Sequence, residues 1–202
     1  AGLATMAAVM GALHHNYNDG IRANFNAGRF GLSLGLYDGI WESDSEEDVN
    51  GFGDGEWGID VQAAIVIVPG LEARVGYARH TEHDNGADDI DQINLWLSYQ
   101  VGNLTLAAEF NDYDVLGIDG RSWMFMAHYS FTSRFGGALR YSNENFDVFD
   151  TWKLSIGPSI GITDNLLMRF EYSHAESDVY GLGTNGGDRE VQMVTAEGLF
   201  TF

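Results

Sequence analysis

Residues 56–68 read EWGIDVQAAIVIV, and their side chains alternate strictly. Trp57, Ile59, Val61, Ala63, Ile65 and Ile67 fall on one side, with Gly58, Asp60, Gln62 and Ala64 on the other. An extended chain points successive side chains to opposite faces, so this segment is a strand with one apolar wall and one mostly polar wall. The same alternation recurs in segments 21–27, 30–36, 71–78, 93–100, 104–111, 122–131, 135–142, 152–161, 166–173 and 189–202, which makes eleven strands. Residues 3–13 are a weaker twelfth candidate, because neither of their faces is polar. Helical periodicity is hard to find anywhere.

The connections alternate between short and long. Short turns fall at Gly28-Arg29, Pro69-Gly70, Gly102-Asn103, Thr132-Ser133 and Thr163-Asp164-Asn165, all residue types that favour tight reversals. Between them the sequence predicts long polar loops at 42–55, 80–91, 112–120, 143–150 and 175–188. In an up-and-down meander alternate connections share an end, so one end carries turns and the other loops. Of the 30 acidic residues, 23 fall at the loop end, so the formal charge of −20 is mostly one acidic rim.

The contents of the two faces decide which is wet. The polar face collects Arg22, Asp60, Glu72, Arg74, Glu109, His128, Arg140, Lys153, Arg169, Glu171 and Glu197. Opposed charges of both signs suit a narrow aqueous lumen and would be unusual over the outside of a soluble barrel. The apolar face is aliphatic in the middle and aromatic at its ends. Trp57, Tyr77, Phe110, Trp123, Tyr141, Trp152 and Tyr172 lie toward the loops, while Phe30, Tyr99, Tyr129, Phe131, Phe135, Phe200 and Phe202 lie toward the turns. Two aromatic girdles flanking an aliphatic band match the two interfaces of a bilayer. Strands of nine to eleven tilted residues are long enough to cross one. The expected fold is therefore all-β: a transmembrane antiparallel up-and-down β-barrel of about twelve strands, with short periplasmic turns and long acidic extracellular loops. An even count places both termini at the turn end, which favours twelve over eleven.

Composition removes several classes. With 10 Lys and Arg against 30 Asp and Glu, the chain lacks the cations that nucleic-acid binding requires. The absence of Cys excludes disulfides, thiolate metal sites and cysteine catalysis. Aromatic residues at 13% are too many for an acidic disordered chain. The 202 residues suit one barrel domain over 1–202. The opening AGLATMAAVMGAL fits a mature N-terminus, the remnant of a processed segment or the start of a fragment.

The segments NYNDGIRANFNAGRFGLSLGLYDGIW and WKLSIGPSIGITDNLLMRFEYSHAESD, with the ending AEGLFTF, resemble bacterial outer-membrane β-barrels, specifically the β-barrel porin-2 (OmpL-like) family, over residues 12 to 202. Phe200 and the terminal Phe202 resemble the C-terminal signal by which the barrel-assembly machinery recognises such chains, although its usual Gly stands at 198 where the pattern would put it at 197. Family members are often longer, which leaves open a short member or the C-terminal part of a longer protein. The resemblance implies a passive pore in the outer membrane of a Gram-negative bacterium and supplies no catalytic residues.

Other chemistry is weaker. The acidic loop ESDSEEDVNGFGDGE could gather divalent cations on clustered carboxylates, or bridge cations to anionic lipid headgroups, yet its spacing matches no EF-hand and a solvated surface loop is the plainer reading. His80, Glu82, His83, Asp84, Asp88 and Asp89 could form a metal site or an Asp/His protease centre, but loop spacing alone does not converge three donors. His14-His15 reads as a loop or strand end. A membrane phospholipase would need Ser, His and Asn on the outer wall, where almost no Ser or His falls. GLGTNGG precedes no helix, so it is no phosphate loop. No cofactor is expected, and no enzyme. The expected function is a passive diffusion channel for ions or small polar solutes, with outer-membrane lipid as its surroundings and mild cation preference from the rim. The alternative is a non-conducting structural or adhesive barrel that binds a partner through its acidic loops.

Overall fold

A computed structural model of the chain describes residues 20–37, 57–81, 89–115, 118–147, 149–163, 165–179 and 189–200. The expected strand at 3–13, the acidic loop at 42–56, His14-His15, Glu82, His83, Asp84 and Asp88, the GLGTNGG segment and Phe202 lie outside the described residues.

Eleven strands follow one another: β1 (Gly20–Ala27), β2 (Phe30–Tyr37), β3 (Trp57–Val68), β4 (Leu71–Thr81), β5 (Ile90–Val101), β6 (Leu104–Val115), β7 (Ile118–Ser130), β8 (Phe135–Phe146), β9 (Phe149–Gly161), β10 (Leu166–Val179) and β11 (Arg189–Phe200). Their hydrogen-bonded order is the chain order, as a meander requires. Each segment read from alternation is a strand. The chain divides into two compact units, Ala1–Ile67 with Glu72–Leu95 and Asn111–Gly120, and Val68–Leu71 with Trp96–Phe110 and Arg121–Phe202.

The short turns fall where the sequence puts them. Gly28, Gly70 and Gly102 have φ of 60°, 86° and 56°, a left-handed backbone that side chains with a Cβ adopt at a cost. At Gly70 the constraint is double, since a Cβ there would also run into the Gln100 carbonyl oxygen. The Thr132 turn is held differently: its Oγ1 accepts from the backbone N–H groups of Arg134 (3.2 Å) and Phe135 (3.0 Å).

Two expected loops are overturned. Residues 112–120 are largely strand, with only 116 and 117 between β6 and β7, and residues 143–150 carry the β8–β9 ladder almost to its tip. There Glu144 opposes Thr151, Asn145 opposes Asp150 and Phe146 opposes Phe149. The Asn143 amide donates to Asp150 Oδ1 (2.8 Å), the Asn145 amide donates to Asp150 Oδ2 (3.1 Å), and the Phe146 and Phe149 rings meet at 4.8 Å. Polar composition looked like loop, but these side chains bond across the ladder and extend it. Strands β4 and β10 likewise run past residues 80 and 175 into the segments expected as loops.

Burial is the inverse of a water-soluble protein. Among the described residues the buried apolar side chains are Ile90, Ala107 and Tyr113, whereas His80, Gln92, Glu109, Asn111, Ser122, Glu144, Ser155 and Ser173 are buried and polar. Large aliphatic and aromatic side chains are widely exposed, with Ile156 and Phe125 each 57% exposed. A surface this apolar is unfavourable in water and favourable in hydrocarbon.

Candidate functional site

The candidate site is the polar face of the strands, taken one unit at a time. In the first unit, Arg22 on β1 lies opposite Gly35 on β2, and Gly35 lies opposite Asp60 on β3. Arg22 reaches over the intervening strand to donate to Asp60 Oδ2. Gly35 makes this possible, because a Cβ there would collide with Asp60 Oδ1 and stand 2.5 Å from the Tyr37 ring. The Tyr37 hydroxyl donates to Asp60 Oδ1 at 3.4 Å. The next row toward the turn is Asn24, Ser33 and Gln62, in which the Ser33 hydroxyl donates to Asn24 Oδ1. On β4, Arg74 Nε donates to Glu72 Oε1 at 2.5 Å. Toward the other end, Asn111 Oδ1 accepts from the amides of Gln92 (3.1 Å) and Asn94 (2.7 Å), a satisfied buried network.

In the second unit one carboxylate is shared by two cations. Glu171 Oε1 accepts from Arg140 at 2.7 Å and lies 3.9 Å from Lys153 Nζ. Arg140 is opposite Ser155, and Ser155 is opposite Ser173, so a small hydroxyl row underlies the charged groups. Arg169 and Glu197 are direct cross-strand partners on β10 and β11, with 3.7 Å between charged atoms and more than half of each side chain exposed. His128 stands over Gly136, where an added Cβ would come within 2.9 Å of its Nε2. Glu109 is 5% exposed. The five polar-face cations expected from sequence therefore each meet a carboxylate: Arg22, Arg74, Arg140, Lys153 and Arg169.

The opposite face carries the aromatic residues. In the second unit the rings of Trp123 and Tyr141 lie 5.1 Å apart, Tyr141 and Trp152 6.3 Å, and Trp152 and His174 5.3 Å. At the turn end Tyr129, Phe131 and Phe135 form a second run at 5.1 and 5.3 Å. Trp57, Tyr77, Tyr99, Phe110, Tyr172 and Phe200 are all exposed.

Sequence reasoning missed the polar groups that fringe these rings. His174 lies 3.3 Å from Glu176 and 3.6 Å from Glu190, beside Trp152. Arg79 pairs with Asp89, and the Tyr77 hydroxyl donates to Asp91. Parity would have found them, since His174 continues the series Phe170, Tyr172 and Arg79 the series Val75, Tyr77. Of the suspected His/Asp centre, His80 is buried at 1% exposure while Asp89 is engaged by Arg79. No three metal-ligating side chains converge among the described residues.

The family described as "Putative beta-barrel porin-2, OmpL-like" matches residues 16–202. No curated protein sequence matches the chain. Among solved structures, a porin refined at 1.8 Å resolution is similar with a TM-score of 0.63 and 16% identity, over 92% of this chain and 64% of that one. An anion-selective porin from Comamonas acidovorans gives 0.64 and 18%, over 90% and 59%. OmpT, an outer membrane protein of Vibrio cholerae, gives 0.59 and 11%, over 89% and 61%. The chain thus spans about three fifths of the length of these solved structures, and the likeness is one of fold. The matched family is described as a porin family, and the fold is the one these solved structures share. The chain belongs to the putative β-barrel porin-2, OmpL-like family.

Proposed function

We propose that the protein is a passive diffusion channel for ions and small polar solutes, a barrel domain over residues 1–202 whose polar face lines the lumen. The observation that carries this reading is the sorting of the two faces. One bears paired charges, amides and hydroxyls, and the other bears exposed aliphatic side chains between aromatic runs. Arg22, Asp60, Glu72, Arg74, Glu109, His128, Arg140, Lys153, Arg169, Glu171 and Glu197 are the lining in this reading. Paired charges of both signs keep a narrow passage wet while preventing either sign from dominating it, so selectivity is mild. The acidic residues at the loop end raise the local cation concentration at the mouth. Outer-membrane lipid surrounds the aromatic face, the assembly machinery reads the end at Phe202, and divalent cations bridge the acidic loop to anionic headgroups.

The test is single-channel conductance of the refolded protein in a planar bilayer under a salt gradient, with folding verified by heat-modifiable gel migration. Discrete openings with mild cation preference are expected. A folded but silent protein overturns the channel and favours a structural barrel that binds through its loops. A steeply anion-selective current overturns the assigned lining.

A further inference from the structure

Within the first unit the polar face is hollowed near the turn end of β1 to β4. The cavity has a volume of about 400 Å³, and its polar lining includes Asn24, Asn26, Ser33, Gln62, Glu72 and Arg74. That volume is at the lower end of small-molecule sites. We propose that this cavity is a binding subsite for a neutral polyhydroxylated solute of monosaccharide to disaccharide size. The proposal rests on the channel reading for its place in transport, though not for binding itself.

Three observations point to this chemistry. First, the charged pair in the lining is internally neutralised, with Arg74 Nε donating to Glu72 Oε1 at 2.5 Å. Second, apart from Arg29 at the rim of the turn, the remaining polar groups are amides and a hydroxyl, each offering donors and acceptors together. A sugar hydroxyl is likewise both, whereas an anion uses only donors and a metal cation only acceptors. Third, neither the Asn26 nor the Gln62 amide has a hydrogen-bond partner among the described residues, although Asn24 already accepts from Ser33. Their bonding capacity faces the cavity unspent on protein. The floor between them is small: Gly31 lies opposite both Asn26 and Ala64, and a Cβ on Gly31 would stand 3.1 Å from Asn26 Oδ1. A pyranose ring needs such a flat, shallow floor to bring its equatorial hydroxyls to flanking amides. Arg29 also lines the cavity, donating to the Ile67 carbonyl at 3.4 Å. Its charge would favour an acidic sugar, so the two solutes must be compared directly.

The experiment is saturation-transfer NMR on the refolded protein in detergent with methyl glucoside and, separately, galacturonate. Saturable glucoside binding is expected, with galacturonate no tighter. The pair Asn26→Ala with Gln62→Ala should weaken glucoside binding about tenfold, the loss expected from two hydrogen bonds, and Asn26→Ala alone should take part of it. Heat-modifiable migration confirms that each variant is folded, and the single variant serves if the double fails. Absence of saturable glucoside binding overturns the proposal, as does binding that the variants leave intact or galacturonate at least tenfold tighter. The channel reading fails separately. A silent bilayer with glucoside bound in detergent removes the pore and keeps the site, and an open channel without binding does the reverse.

Discussion

The polar walls of β1–β3 and β8–β11 solve the same problem in two ways. Both must keep guanidinium groups on a sheet face without leaving a charge unmet. In β1–β3 one cation meets one acid across an empty strand position: Arg22 passes over Gly35 to Asp60. In β8–β11 two cations share one acid, as Arg140 and Lys153 converge on Glu171 above a row of serines. The first wall depends on the absence of a side chain. The second depends on the presence of a single carboxylate, so the two should break under different substitutions.

The largest effect is expected at Gly35. Gly35→Val places branched carbons where Asp60 and Tyr37 stand, so it strains the strand and severs Arg22 from Asp60 at once. Overpacking of this kind costs about 1–3 kcal/mol. Urea unfolding in lipid vesicles should show it, and an unchanged midpoint would mean that Arg22 does not need the gap. Glu171→Gln comes next. It leaves Arg140 and Lys153 facing each other without an acid, and because these groups are about a third exposed the stability loss should be about 1 kcal/mol or less. Its sharper signature is electrical: the reversal potential should move toward anions, and by more than for Asp60→Asn, which uncovers one cation rather than two. Equal shifts would erase the distinction between the walls. The smallest effect belongs to Arg169→Gln. Arg169 and Glu197 are separated by 3.7 Å and largely exposed, so less than about 0.5 kcal/mol should be lost. A large destabilisation there would show that β11 depends on this pair.

The aromatic face teaches a complementary lesson about legibility. Trp123, Tyr141 and Trp152 could be assigned to one girdle from parity and strand position alone, and their rings do meet. His174 continues the same parity, one residue beyond 173, where the alternating segment ends. Only the register that sets Leu154 opposite His174 brings it to Trp152 and the carboxylates. The segments 112–120 and 143–150 are largely strand although their polar composition predicts loop, because in 143–150 the polar side chains pair across the ladder.

What the sequence determined by itself is whatever depends on period two: the strands, their two faces, the tight turns at Gly28, Gly70 and Gly102, and the family. Alternation is a local property of the backbone, so it is written residue by residue. What only the tertiary structure decided is partnership across strands: that Gly35 is a gap for Arg22, that Glu171 serves two cations, and that Asn26 and Gln62 face one cavity. These depend on register, which joins residues tens of positions apart, and a slip by one residue would reverse every one of them.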